Sequence, residues 1–214
     1  MADVSRETPP VPDAARGVFA DRLGIAVRYA EFLADQGTLR GLIGPREVPR
    51  LWERHLLNCA VIAEVIPQGV RVGDIGSGAG LPGLVLAVCR PDLEVVLIEP
   101  LLRRTTFLEE AVALLELSNA SVVRSRSEDY QPKASFDVVT SRAVAELGKL
   151  AGWSLPLVKP GGLFLPMKGS SADAEVAAAA KTLRKLGADS THIHRVGAGI
   201  VDPEVTVVAV RKRG

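Results

Sequence analysis

The alternation of apolar and polar positions changes character near residue 69. Before it, apolar residues recur at helical spacing. Val18, Leu23, Val27, Ala30, Leu33 and Ala34 fall on one face of a helix predicted from Ala14 to Gln36, which Gly37 stops. A loop through Gly41 and Gly44-Pro45 leads to a second helical run, from Val48 to about Glu64, that ends before Pro67. From Gly69 onward, short apolar runs alternate with helical ones. Strands are predicted at 70–75, 94–99, 120–124, 136–141, 161–168, 191–196 and 204–212, and helices near 82–89, 102–117, 144–157 and 172–187. Such alternation implies an α/β fold with a parallel sheet covered on both faces. The last two strands are joined only by Gly197-Ala-Gly-Ile-Val-Asp-Pro203, too short for a helical crossover, so they are expected to form an antiparallel hairpin. The expected organisation is a polar, proline-rich flexible arm at 1–13, a helical extension at 14–68 and a sheet domain at 69–214.

The richest stretch joins the first strand to the first sheet helix: Val72-Gly-Asp74-Ile-Gly76-Ser-Gly78-Ala-Gly80-Leu81-Pro82-Gly83. Glycines at 76, 78 and 80 allow positive φ and let a ligand approach the backbone, and Pro82 suits a first helical position. The second strand ends at Glu99, nineteen residues after Gly80, where a carboxylate suits a ribose diol. An adenosine-containing cofactor is therefore expected. Gly78-Ala-Gly80-Leu-Pro-Gly83 also satisfies the dinucleotide fingerprint. Asp74, two residues before Gly76, discriminates: Asp-x-Gly-x-Gly-x-Gly resembles the first motif of class I S-adenosylmethionine-dependent methyltransferases, whose loop cradles the amino-acid end of the cofactor. Five parallel strands closed by a hairpin are the topology of the Rossmann-like methyltransferases, and ordinary dinucleotide domains lack it.

Composition narrows the setting. With 214 residues and 47% apolar content, the chain can bury one substantial core. A formal net charge of +1 gives no global case for a polyanion partner, so a nucleic-acid site would have to be a local patch. Cys59 and Cys89 lie in apolar helical surroundings and are read as buried and reduced, which fits a cytoplasmic protein. Residues 1–13 contain no apolar signal-peptide core, and no apolar run reaches membrane-span length. His192 and His194 share a strand face without a third ligand, so no metal is expected. A monomer is expected.

Four further segments carry a closer resemblance. Trp52-Glu53-Arg54-His55-Leu56-Leu57, the Asp74-to-Gly83 loop, Ser141-Arg142-Ala143 and Met167-Lys168-Gly169 are similar to the RsmG (GidB) family, over about Arg22 to Arg211. These bacterial enzymes methylate N7 of a guanosine in 16S ribosomal RNA, position 527 in the usual rRNA numbering. The resemblance implies S-adenosylmethionine as cofactor and the small ribosomal subunit as partner. It also implies cofactor contacts at Gly76, Leu81 and Arg142, with Ser127 and Glu128 near the adenine. Asp74, Gly78, Gly80 and Glu99 join that set from the loop and strand reading. The family commonly has Asp-Ser where this chain has Asn58-Cys59, so no carboxylate role falls on position 58.

The residues themselves agree with such chemistry. Guanine N7 carries an exposed lone pair, so methyl transfer needs neither general base nor nucleophile, only near-attack geometry. After the fourth strand stands Thr140-Ser141-Arg142-Ala143, not the Asn/Asp-Pro-Pro-Tyr/Phe of amino-group methyltransferases. Arg142 is expected to orient the reactants. Arg103, Arg104 and Lys168 follow strand ends and are expected to meet RNA phosphates, with Arg124 and Arg126 on the same rim. Trp52 and Trp153 are read as core, and a packing or hydrogen-bonding role for His55 weighs as much as substrate contact. Two other functions stay open on the residues alone: a small-metabolite methyltransferase using the N-terminal helices as a lid, and a non-catalytic ribosome-binding protein with a retained cofactor pocket.

Overall fold

The seven apolar runs become seven strands in the computed structural model, which describes residues 8–142 and 144–214. They are β1 Arg71–Ile75, β2 Glu94–Ile98, β3 Ala120–Val123, β4 Phe136–Arg142, β5 Val158–Lys168, β6 Ala188–Val196 and β7 Val205–Lys212. They form one sheet in the order β3-β2-β1-β4-β5-β7-β6. The first five run parallel, and β7 enters antiparallel between β5 and β6. The expected hairpin is therefore β6–β7. β1 and β2 are buried along nearly their whole length, as strands covered on both faces must be, whereas β6 alternates with exposed positions at the sheet edge.

The helices after the strands are α4 Gly83–Cys89, α5 Leu102–Leu114, α6 Leu147–Ser154 and α7 Ala172–Lys185. One core lies between the sheet and α4, α5 and the N-terminal helices, and a second lies under α6 and α7. The sheet is thus a layer between two apolar fillings.

The N-terminal segment differs from the expected pair of continuous helices. The first breaks into α1 Asp13–Phe19, a 3-10 turn at Ala20–Arg22, α2 Leu23–Phe32 and a π turn at Leu33–Gly37. Ala20 has φ +44° at the break. The apolar spacing runs straight through it, so the pattern could not mark it. The second winds as a 3-10 turn Pro45–Arg50, a π turn Leu51–Leu57, α3 Asn58–Ala60 and a 3-10 turn Val61–Val65. Residues 1–7 of the expected arm lie outside the described residues. Its later part is fastened: Trp52 Nε1 donates to the Pro9 carbonyl (3.2 Å), and Val11 packs on the core.

This segment braces the first sheet crossover at two points. Arg22 Nε donates to the Val88 carbonyl (3.3 Å) near the end of α4, and the Tyr29 hydroxyl donates to the Ala79 carbonyl (2.6 Å) within the glycine loop. Both partners of the second bond are buried. Tyr29→Phe therefore leaves a buried acceptor without its donor, and the expected loss is about 1–3 kcal/mol of unfolding free energy. Urea unfolding measures it; wild-type stability in the variant would show that the loop carbonyl finds another donor.

Candidate functional site

The loop between β1 and α4 is tied down before it reaches any ligand. The amides of Gly76 and Ser77 donate to the Ile98 carbonyl at the end of β2 (2.9 and 3.3 Å), and the Gly80 amide donates to the Ser77 carbonyl (2.7 Å). Two of its glycines serve different ends. At Gly78, φ is +57° and an added Cβ would meet only the Gly76 carbonyl oxygen, at 3.8 Å, so the space over the loop is open. At Gly83 an added Cβ would collide with Leu97 and with Asp74 Oδ2 (2.6 Å), so this glycine lets α4 press onto β1.

Asp74 does not reach the open space. It is fully buried, and its Oδ2 accepts from the Gly83 amide (3.0 Å) while the Ser77 hydroxyl donates to its carbonyl (2.9 Å). Its Oδ1 has no partner among the described residues, and burial raises the carboxyl pKa to about 7. Asp74, expected as a cofactor contact, thus stands beneath the loop as a latch on Gly83. Gly80 is likewise a packing position: an added Cβ would collide with Leu84 and the Tyr29 hydroxyl.

Above the loop is a cleft of about 520 Å³ whose lining includes Gly76, Gly78, Leu81, Glu99, Arg104 and Arg142. Glu99 is almost fully buried at its wall. Its Oε2 accepts from the Gly78 amide and its Oε1 from the Leu101 amide, both at 3.1 Å. A carboxylate oxygen has two lone pairs, so each can still take a ribose hydroxyl. Arg104 Nη1 stands 3.6 Å from Glu99 Oε2, and its buried Nε has no partner among the described residues. These observations fit an adenosine-type group: an open glycine cradle, a carboxylate with spare acceptors and an unspent donor.

The remaining expected residues divide. Arg104 lines this cleft, with its guanidinium beside Glu99. Arg103 is exposed, as are Arg124 and Arg126. Lys168 is paired, its Nζ lying 2.7 Å from both Glu175 Oε2 and the Ala145 carbonyl with the side chain mostly buried, and it lines a neighbouring cleft. Ser127 and Glu128 are absent from the lining of the cleft. They bond each other (3.1 Å), and Lys133 Nζ ties both of their carbonyls. Ala143 lies outside the described residues.

A second cleft of about 960 Å³ adjoins the first. Its lining includes Arg50, Arg54, Asn58, Met167 and Arg195, and it shares Arg142 and Val144 with the cofactor-type cleft. Arg142, at the end of β4, is therefore the junction. Its Nη2 lies 2.9 Å from His55 Nδ1, and its Nη1 donates to the Arg54 carbonyl (3.3 Å). His55 Nε2 in turn lies 3.0 Å from Glu47 Oε2. Burial first, and then the Arg142 charge, lower the His55 pKa to about 4, so the ring is neutral at pH 7. Arg142 can only donate, so Nδ1 must accept, and the single ring proton sits on Nε2 and is donated to Glu47.

Glu47, the role of His55, and Arg50, Arg54 and Arg195 around the second cleft were not identified from sequence. His55 carried a signal, since it lies in the Trp52–Leu57 match. Glu47 carried none, because its importance arises from a π turn that brings position 55 to it. Asn58 lines the second cleft, while Cys59 is fully buried with its thiol pushed up to about 11 by burial. Neither it nor Cys89, pushed up to about 12 chiefly by burial, is poised as a nucleophile.

The GidB family model, described as rRNA small subunit methyltransferase G, matches residues 22–205. The chain is 59% identical over 205 residues to the ribosomal RNA small subunit methyltransferase G of Streptomyces coelicolor, covering 95% of this chain and 86% of that one. The protein of the same name from Thermobifida fusca is 58% identical over 198 residues, covering 92% and 84%. That from Corynebacterium glutamicum (strain ATCC 13032) is 51% identical over 204 residues, covering 94% and 92%. Among solved structures, a SAM-dependent methyltransferase from Aquifex aeolicus aligns with a TM-score of 0.54 at 19% identity, covering 90% of this chain and 98% of that one. M. jannaschii TYW2 in complex with AdoMet aligns at 0.57 and 18%, covering 72% and 73%. These structures show the fold, which is the Rossmann-like methyltransferase sheet with an N-terminal helical region.

The Asp74 latch has a measurable consequence. Its folded pKa of about 7 lies above the ordinary 3.8, so between about pH 4 and pH 7 the folded state binds the extra proton. Its contribution to stability is then most favourable below pH 4, and is lost as pH rises toward 7 at no more than about 1.4 kcal/mol per pH unit. Asp74→Asn keeps the acceptor for Gly83 and cannot ionise. Relative to wild type it is expected to gain stability from pH 5 to pH 8, read from urea midpoints. Parallel pH profiles for the two proteins would refute the raised pKa.

Proposed function

The chain belongs to the GidB family of rRNA small subunit methyltransferases G, and on that premise we propose that it transfers a methyl group from S-adenosylmethionine to N7 of a guanosine in 16S ribosomal RNA, at position 527 of the usual rRNA numbering. The observation that carries this reading is the meeting of two clefts at Arg142: a glycine-floored one with Glu99, and a larger one fringed by arginines.

When bound, the cofactor supplies an electrophilic methyl group on a sulfonium. Gly76, Gly78 and Leu81 cradle it, and Glu99 accepts from the ribose hydroxyls with Arg104 alongside. The larger cleft receives the base, while Arg50, Arg54 and Arg195 meet flanking phosphates, with Arg103 on the outer rim. Guanine places two acceptors, O6 and N7, side by side, whereas adenine places an amino group beside its N7. Arg142 offers only donors at the junction, so it suits O6 and opposes adenine. Glu53, Asp202 and Glu204 in the same cleft suit the donors on the far edge of guanine. No group has to take a proton before attack, because N7 is already a free lone pair. The rate then depends on holding the two reactants in line.

Tritiated methyl transfer to small subunits from a strain lacking the enzyme tests the reading directly. The label is expected in one 16S guanosine as 7-methylguanosine. Label in another base, or in a small metabolite with none in the subunit, would overturn it. Two sets of variants separate the clefts. Glu99→Ala is expected to weaken cofactor binding by about 1–3 kcal/mol in calorimetric titration. Arg50→Ala with Arg195→Ala is expected to leave that affinity unchanged and to lower the salt slope of subunit binding by about 0.7–0.9 per lost phosphate contact. An unchanged slope would mean that the RNA enters by another face.

A further inference from the structure

We propose that Glu47 and His55 are positioning residues that fix the guanidinium of Arg142 at the junction of the two clefts, with the imidazole held in one tautomer for that purpose. The inference rests on the reading of the clefts given above and adds to it two residues outside the cofactor cradle.

An arginine side chain has several rotatable bonds, and ordering it costs rotamer freedom. Placed freely at the boundary of two clefts, it would sample both. Here two acceptors hold it, the Arg54 carbonyl at 3.3 Å and His55 Nδ1 at 2.9 Å. The second is available only from a neutral ring protonated on Nε2. A protonated imidazole would offer no lone pair and would set a like charge against Arg142. The Nδ1–H tautomer would set donor against donor.

Glu47 removes that ambiguity. Its Oε2 stands 3.0 Å from His55 Nε2, where it accepts the ring proton, and 3.5 Å from Arg54 Nε. The charged groups facing the ring are thus Glu47, Arg54 and Arg142, two of them cationic, and the ring is mostly buried. Both cationic neighbours and the burial oppose a second proton. The contact of His55 with Glu47 is therefore a hydrogen bond from a neutral donor and not an ion pair.

The arrangement spans three parts of the chain. Glu47 comes from the 3-10 turn Pro45–Arg50, His55 from the π turn Leu51–Leu57, and Arg142 from the end of β4. The N-terminal segment thereby reaches into the reaction site through a carboxylate, a ring and a guanidinium. Three Arg142 donors are left over, those on Nε and the second hydrogens of Nη1 and Nη2, for whatever occupies the clefts.

The test uses the full chain. It contains three histidines, so a nitrogen-15 spectrum of the rings can be resolved. His55 is expected to show the Nε2–H tautomer, unchanged from pH 6 to pH 8, and to mix tautomers in Glu47→Ala. Either an Nδ1–H ring or a titration near the ordinary 6.5 overturns the proposal, whatever the substrate is. In kinetics, His55→Leu removes the acceptor and His55→Asn returns an oxygen near the place of Nδ1. Single-turnover methyl transfer to subunits is expected to fall by up to about 100-fold in His55→Leu, with subunit affinity nearly unchanged, and to recover most of the loss in His55→Asn. Full turnover in His55→Leu, or equal losses in both variants that track their melting temperatures, refutes positioning in favour of plain packing. If the wild-type protein methylates no subunit, the functional reading fails separately, and the ring spectrum still decides whether His55 holds Arg142.

Discussion

The Gly83 amide donates to Asp74 Oδ2 across 3.0 Å, and a side chain at position 83 would strike both Asp74 and Leu97, so α4 can leave β1 only through this contact. The rest of the site depends on that closeness. It forces the chain between residues 76 and 82 into a tight loop above the strand ends, with left-handed backbone at Gly76, Gly78 and Gly80. It also buries a carboxyl whose second oxygen has no partner among the described residues, an unfavourable placement that leaves the group protonated or strained near neutral pH. The gain is a fixed floor. The amide of Gly78 is turned onto Glu99 at the end of β2, so that loop and second strand become one surface.

A loop shaped in this way needs support from behind, and the N-terminal helices give it. Tyr29 is buried and bonds the loop carbonyl of Ala79, while its hydroxyl occupies the place that a side chain at position 80 would need. α2 continues past the loop to stack Phe32 on Phe107 of α5, with ring centroids 4.8 Å apart. The segment is thus packed against both helices that flank the cofactor-type cleft, and its Gly41–Ile43 residues line that cleft. Those residues form one wall of the cleft.

Much of this was legible in the sequence because it follows local rules. Every strand fell within three residues of its expected start: β1 and β2 are continuous apolar runs because both faces are buried, and the others still read as short apolar segments. The hairpin followed from a loop too short to cross the sheet. What escaped was set by packing across the chain. Asp74 was placed in the cradle because its motif position is known, but only the approach of Gly83 shows that its carboxyl points beneath the loop. The pairing of Lys168 with Glu175 joins the end of β5 to the following helix, and apolar spacing carries no sign of it. The N-terminal helices break at Ala20 and wind as π turns at two places where nothing in the apolar spacing changes. Because of those turns, Glu47 and His55 were invisible as a pair.

A net charge of +1 argued against a polyanion partner only while charge was counted over the whole molecule. Around the larger cleft, Arg50, Arg54 and Arg195 stand among Glu53, Asp202 and Glu204, so even locally the signs are mixed. A purely basic groove would hold any phosphate chain about equally, with affinity that salt erodes. Carboxylates among the arginines repel the backbone except where an arginine answers it, and they accept from base edges that carry N–H groups. If RNA enters this cleft as proposed, non-specific affinity is given up for a requirement that phosphates and base fall in one register. On the same proposal Arg142, held by His55 Nδ1 and the Arg54 carbonyl, would meet that requirement from the cofactor side. Recognition of the acceptor and alignment with the methyl donor would then be one geometric condition, imposed at a single guanidinium.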